Sequence, residues 1–440
     1  MFWRALVKRF PVLGVRDFRI LMADRLVAPA AAGFSMVGVS FAVLNATGSA
    51  ADLSYVLAAQ IAPALVFALI GGVAADRFPP QRVIVASNVI TALGEGSFGV
   101  LVLAGRPPLW AMIILETVTG TGMAMFYPAS QALLPRLVPS SMLQDASAIS
   151  RAGMNTGVTI GSALAGVLVA VAGAGWALVM CGLGMMCTVP ILLSLRPTPL
   201  AASPGAAPGL LGQLREGWTE FRSHTWLWVI VLQACVVLMS WYGGFSVLGP
   251  VVARMHLGGA AAWGTITAFD SFGLIAGGLI SLRLTPRRPM LFVVLALGAI
   301  AIAPLSLALV LPLPLICAAA LLLGVLIEMM MVQWTVALTR RIPSERLARV
   351  SSYDALGSVM AMPAGALIAG PLGAAIGVSH AQFLAAGMIV AVTALAMIPR
   401  DIWTIASNVD DIDQPVPEPV GANPLAVNPL GANVSGANSP

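Results

Sequence analysis

Charge is what this chain has least of. Asp, Glu, Lys and Arg make up 9% of its 440 residues, while 59% are hydrophobic. A soluble domain carries roughly 25% charged residues, so a water-soluble globule is excluded and the chain needs lipid around it. Lysine occurs once, at Lys8; 22 arginines supply the remaining positive charge. The three histidines, His224, His256 and His380, lie apart from one another and from every cysteine. The four cysteines, Cys181, Cys187, Cys235 and Cys317, sit in apolar runs without metal-ligand spacing, which reads as packing and argues against a metal site. No nucleophile–base set and no nucleotide-binding motif is present, so the chain is not expected to be an enzyme. With no cofactor expected, work would have to draw on an ion gradient. The net charge of +5 belongs, in a chain this apolar, to a membrane surface rather than to nucleic acid.

Long apolar runs are what the chain has instead. A helix needs about 20 mostly apolar residues to cross a bilayer. Breaks of charge, Pro and Gly divide the chain into twelve candidate spans: 20–46, 52–75, 82–104, 108–134, 144–172, 174–195, 225–252, 259–282, 289–311, 313–339, 347–376 and 379–399. If the N-terminus is cytoplasmic, 19 of the 23 Arg and Lys residues fall on the cytoplasmic side, and Arg106 and Arg254 alone fall in outside loops. That bias keeps one phase along the chain, which predicts a multi-pass protein of the cell membrane with both termini cytoplasmic.

Residues 1–19 are basic and amphipathic, as a segment lying on the bilayer surface would be. Residues 196–224 join two groups of six spans, 20–195 and 225–399. This linker begins Pro/Ala/Gly/Ser-rich and ends, from Leu210 to Phe221, with the periodicity of a surface helix. Residues 400–440 close on a Pro/Asn/Gly-rich stretch that can bury no core and should be disordered.

Two segments recur. "GGVAADRFPPQRV" from Gly71 matches "GGLISLRLTPRRP" from Gly277 at five of thirteen positions, and "RLVPSSMLQDASAI" from Arg136 aligns with "RRIPSERLARVSSY" from Arg340. The offsets, 206 and 204 residues, are nearly equal. The chain therefore reads as an all-α membrane protein built of two parallel six-helix repeats around a central cavity, with the substrate between the halves near the midplane.

These segments resemble those of the major facilitator superfamily. The first is similar to the family's loop between helices 2 and 3, with Gly72, Asp76, Arg77 and Arg82 matching and Pro79 and Pro80 departing from the pattern. "FYPASQALLPRLVP", from Phe126, resembles the end of helix 4 in the drug-exporter-like branch that includes macrolide-efflux and enterobactin-exporter relatives. "GVTIGSALAG" resembles the helix-5 antiporter motif through Gly157, Gly161 and Gly166, with Ser162 in place of its proline. "LETVTGTGMA" keeps Gly120 and Gly122 of a helix-4 pattern but has Glu116 at its arginine. The resemblance implies a transporter in which Asp76 latches the halves against the eleventh helix. On physical grounds alone the loop is also what a positive-inside turn looks like, and the helix-5 glycines are what close packing requires.

A charge at the centre of a spanning helix costs about 2.5–3.5 kcal/mol, so each needs a reason. Glu95 and Glu116 lie on adjacent spans, both roughly 12–14 Å from the outer end at 1.5 Å per residue. They could share a proton, or each could bond a backbone carbonyl or line a wet vestibule. Asp270 and Glu328, near mid-span in the second half, are candidates for the cavity. Its wall would be Trp241, Tyr242, Phe269 and Trp334, unless these merely pack. Asp24, Arg25, Arg151 and Asp354 are expected to form ion pairs near the inner gate. The leading expectation is a monomeric, proton-coupled exporter of small apolar or cationic amphiphilic molecules. The alternatives are an uptake permease on the same fold, or a membrane sensor or assembly partner that transports nothing.

Overall fold

Proline and glycine placement decides where the apolar runs break. The computed structural model describes residues 10–75, 79–105, 107–196, 218–219, 221–284, 286–342, 350–351, 353–354, 357–358 and 360–404. Its long helices are α1 Arg16–Thr47, α2 Ala50–Ala75, α3 Pro80–Leu103, α4 Leu109–Leu133, α5 Leu143–Ala172 and α6 Ala174–Leu193 in the first half. In the second half they are α7 Thr225–His256, α8 Ala260–Ser281, α9 Pro289–Ala308, α10 Leu313–Arg341, α11 Met362–Ile376 and α12 Val378–Ala396. Ten are long and apolar enough to cross a membrane; Ala50–Leu65 at the start of α2, and α11, are shorter apolar helices.

Three expected spans are not uniform helices. Residues Tyr242–Val247 of α7 wind as a π-helix. Pro250 offers no N–H to the carbonyl of Ser246, and the turn before it widens. Gln382 of α12 donates to the Gly244 carbonyl in that segment at 2.8 Å, taking up a backbone acceptor that lipid could not satisfy. In α9 the helix lapses into a turn at Ile300–Ala301, four and three residues before Pro304. The expected span 347–376 turns at Met360–Ala361, just ahead of Pro363, so the continuous helix there is Met362–Ile376. At the N-terminus, Arg16–Arg19 belong to α1 rather than to a separate surface segment, with a single 3-10 turn, Pro11–Gly14, before it. Most of the expected linker helix, and the tail beyond Thr404, lie outside the described residues.

The repeat reappears as geometry. A side-chain carbon added at Gly120 of α4 would run into the Gln60 carbonyl of α2; at Gly324 of α10 it would run into the Asp270 carbonyl of α8. Gly161 of α5 lies on the Ala30 carbonyl of α1 in the same way that Gly365 of α11 lies on the Met239 carbonyl of α7. Gly166 of α5 abuts Ala260 and Gly264 of α8, while Gly370 of α11 abuts Ala50 and Ser54 of α2. In each of these three pairs the second-half glycine lies 204 residues beyond its first-half counterpart. Without a hydrophobic drive between helices in lipid, close backbone approach at small residues holds such pairs together. The first two pairs fasten helices within a half, and the third fastens one half to the other.

All the fastenings of the third kind lie at one end of the molecule. There the helices are joined by tight turns whose glycines adopt positive φ, among them Gly48 at 71°, Gly173 at 97°, Gly258 at 91° and Gly377 at 89°. At this end one apolar cluster runs through both halves, from Val37 and Leu53 to Phe245, Trp263 and Ala366. At the opposite end the core divides. One cluster, around Phe18, Ile84 and Leu133, belongs to the first half, and another, around Trp226, Val293 and Trp334, to the second. The halves are thus sealed at the glycine-turn end and separately packed at the other.

Candidate functional site

Polar side chains inside these helices must find partners among their neighbours, because lipid offers none. In the first half they gather where α1 to α4 meet. Glu95 of α3 and Glu116 of α4 are both fully buried. Gly94 packs its backbone on the Leu115 carbonyl and Thr119, which brings the two acid-bearing turns together. Ser35 of α1 donates to Glu95 Oε1 at 2.5 Å, and Gln60 of α2 donates to Glu116 Oε2 at 2.7 Å. The other oxygens, Glu95 Oε2 and Glu116 Oε1, have no hydrogen-bond partner among the described residues, nor has the nearby Thr119 hydroxyl. The π turn of α7, which begins at Tyr242, touches α2 across the seam, the helix whose Gln60 holds Glu116. Neither acid bonds a backbone carbonyl. Ser35 and Gln60 were not singled out in the sequence. Their signal was a polar residue in an apolar run, but which face it occupied could not be read.

In the second half, Glu328 of α10 reaches across the seam to Arg151 of α5, with Nη1 and Oε1 3.3 Å apart. Among the described residues this is the one ion pair between the halves, and it lies on the side where the core divides. Asp24, Arg25, Arg151 and Asp354 do not pair among themselves as expected. Asp24 is buried, with neither carboxylate oxygen bonded among the described residues. Arg25 lies against the Met154 sulfur and over the Phe126 ring, 5.6 Å from its centroid. Asp354 accepts a hydrogen bond from Trp334 Nε1 at 2.9 Å. Distance from a helix end says nothing about azimuth, and azimuth decides what each charge meets. Asp270 is half-buried and packs through its backbone on Gly324, with no partner for its carboxylate among the described residues.

Of the expected cavity wall, Trp334 is an interior packing residue, 7% exposed and set edge-on to Trp226. Trp241 stacks on Phe245, their centroids 5.9 Å apart, while Phe269 is exposed on α8. Gly157 and Gly161 face α1, and Gly166 faces the other half. Gly72 lies in α2 and Arg82 is exposed in the first turn of α3; Asp76 and Arg77, and residues 343–349 where the eleventh span that Asp76 would latch begins, lie outside the described residues. Arg254, placed by the sequence in an outer loop, ends α7 and donates to the Leu44 carbonyl in the last turn of α1. A cation there complements the negative end of a helix. Ser54 adds a second bond at the same end, accepting from the Gly370 N–H at 2.6 Å.

If Arg151 and Glu328 hold the divided end together, reversing either charge alone should slow transport and reversing both should restore it. Because the arginine is half-exposed, the pair should contribute no more than ~1 kcal/mol, and a reversed charge adds a repulsion of similar size, so each single loss should stay within about thirtyfold. Rates for Arg151→Glu, Glu328→Arg and the double variant check this; additive losses would show that the two do not act as a pair.

Two helical repeats, close glycine contacts between α5 and α8 and between α2 and α11, and acids buried beside the seam form one recognisable arrangement. The sequence profile of the Major Facilitator Superfamily matches residues 26–358. The chain belongs to this family. It is a multi-pass transporter of the superfamily, and among its relatives are proteins named for efflux or export. Macrolide efflux protein A of Streptococcus pyogenes is 22% identical over 88% of this chain and 96% of its own length. The multidrug efflux pump Tap of Mycolicibacterium fortuitum is 26% identical over 86% and 92%. The enterobactin exporter EntS of Escherichia coli O1:K1 is 26% identical over 81% and 85%. Among solved structures, the nucleoside transporter NupG superposes with a TM-score of 0.68 over 87% of this chain and 99% of its own, at 12% identity. A bacterial homologue of the human lysosomal transporter Spinster, inward-facing and unoccupied, gives 0.61 over 88% and 96%, at 18% identity.

Proposed function

We propose that this protein is a proton-coupled exporter of small apolar or cationic amphiphilic molecules, working by alternating access. The observation that carries the reading is the divided core. One apolar cluster spans both halves at the glycine-turn end, and two separate clusters occupy the other end. Rigid halves that rock about a seam need this arrangement, because each keeps its own core while the shared contacts are made and broken. With the arginine-rich loops inside, the sealed end faces out and the form described is the one receiving cargo from the cytoplasm or inner leaflet. Both termini are then cytoplasmic, the helices cross twelve times and the protein works as a monomer.

Glu95 and Glu116 supply the proton site. Two ionised carboxylates side by side, each with one neutral donor, are too costly to bury dry. The pair therefore holds protons while sealed and exchanges them once water reaches it. The direction of transport rests on the efflux relatives and on the apolar helix-5 seam, and the surplus of buried acids favours protons and cationic cargo.

Everted membrane vesicles test this. With an acidified lumen, vesicles containing the protein should accumulate a macrolide or a lipophilic cation, and a protonophore should release it. Accumulation of no member of a broad panel under these conditions would overturn the export reading. Uptake by intact cells down a proton gradient would favour the permease instead.

A further inference from the structure

Behind the π turn of α7 lies a cavity of about 70 Å³, walled by α7, α11 and α12 and separate from the acid cluster. Met239, Ser240, Gly243, Ile368, Leu384 and Met388 are among its lining residues. Ile368 and Leu384, within α11 and α12, are 54% and 49% exposed, so the mouth opens sideways toward the acyl chains rather than toward water. The Ser240 hydroxyl stands out. It is buried, with 6% of the residue exposed, and no hydrogen-bond partner among the described residues satisfies it. Other serines in these helices, Ser40, Ser162 and Ser281, donate to the carbonyl four residues earlier. Ser240 leaves that bond unmade and lines an otherwise apolar cavity. A buried, unpaired hydroxyl is costly, and one ligand oxygen would remove the cost.

We propose that this cavity is a binding site, entered from the bilayer, for the alkyl end of an amphiphile bearing an ester, ether or ketone oxygen that accepts a hydrogen bond from Ser240. A cavity of about 150 Å³ is known to take up benzene. At about half that volume, this one admits a short or branched alkyl group while the rest of the molecule stays in lipid. Met239 and Met388 give the wall the adaptability that varied alkyl groups need. The same π turn touches α2 of the first half, the helix whose Gln60 donates to Glu116. An occupant pressing on Gly243 and Gly244 thus bears on the segment next to the acid pair. The proposal deepens the export reading by naming where cargo enters, and rests on that reading only for the site's purpose.

Photolabelling tests the site without any transport assay. The full-length protein in phosphatidylcholine nanodiscs is labelled with a medium-chain alkyl ester carrying a diazirine at its alkyl end, and in parallel with a hydrocarbon diazirine of matched length. The ester should mark the peptides containing Met239–Leu248 and Leu384–Met388 at least about threefold more than the hydrocarbon does, the order that one net hydrogen bond gives. Ser240→Ala should erase that difference, and Ala385→Phe, which fills the cavity, should lower both labels. The conservative Ser240→Ala keeps the test decisive if Ala385→Phe does not fold. Equal labelling by the two probes, no effect of Ser240→Ala, or labelling no greater than at the lipid-facing Leu164 and Val167 of α5 would overturn the proposal. Labelling without vesicle accumulation would sink the export reading and leave the site; accumulation without labelling would do the reverse.

Discussion

With Glu95 and Glu116 both replaced by glutamine, accumulation in acid-loaded everted vesicles is expected to collapse while cargo still equilibrates across the membrane. Glutamine keeps the size of each side chain and can still accept from Ser35 and Gln60, so the packing of α1 to α4 is preserved. What disappears is the ability to gain and lose a proton beside the seam. Coupling free energies of about 1–3 kcal/mol correspond to 5–150-fold in the coupled equilibrium, and the gradient the vesicles sustain should fall by a factor in that range. The single variants separate two arrangements. If the two carboxyls share one proton, either substitution alone should abolish coupling. If each carries its own, each single variant should retain part of the gradient. A double variant that pumps like the unmodified protein would remove these acids from the mechanism. Coupling would then have to reside elsewhere, with Asp270 next to be tried.

A leucine at Gly370 is expected to prop the sealed end open and stop transport. In the closed arrangement a side-chain carbon at this position falls on the Ser54 hydroxyl and the Ala50 carbonyl of the other half. Backbone cannot yield as a flexible side chain does, so the seam must part. Overpacking of this kind costs about 1–3 kcal/mol, enough to shift the balance between closed and open forms about 5- to 150-fold. The readout is a cysteine at Ser54, which is fully buried in the closed form, on a background lacking the four native cysteines. A membrane-impermeant maleimide added to the outside should leave Ser54→Cys untouched alone and label it when Gly370→Leu is present. Gly387 supplies the control, since a side chain there meets nothing within 4 Å. Gly387→Leu should neither expose Ser54→Cys nor slow transport. Normal transport and a protected Ser54→Cys in Gly370→Leu would show that the seam seals by other contacts.

The residues that organise the site were legible to different degrees. Glu95 and Glu116 stood out because a carboxylate in an apolar run is rare and expensive. Ser35 and Gln60, which hold them, did not, since a single serine or glutamine in a spanning helix is cheap. Arg254 looked like a loop residue because the apolar run stops near it. In three dimensions α7 continues to His256 and points that arginine at the end of α1. Glu328 was read as a cavity acid and Arg151 as part of another group; the structure makes them one pair. Trp334 looked like a cavity wall and is core.

Composition and recurrence were enough to place this protein in lipid, to sort its helices into two parallel sets, and to mark its acids as few and costly. Those follow from local quantities: the length of an apolar run against the thickness of a bilayer, the energy of a buried charge, and the recurrence of short segments at one offset. Which glycine meets which backbone, which carboxyl meets which donor, and which end of the seam is shut were decided only by tertiary structure. Such pairings depend on the rotation of each helix about its axis and on its depth beside helices distant in sequence. In lipid, where every neighbour is as apolar as the next, contact geometry rather than hydrophobicity sets both.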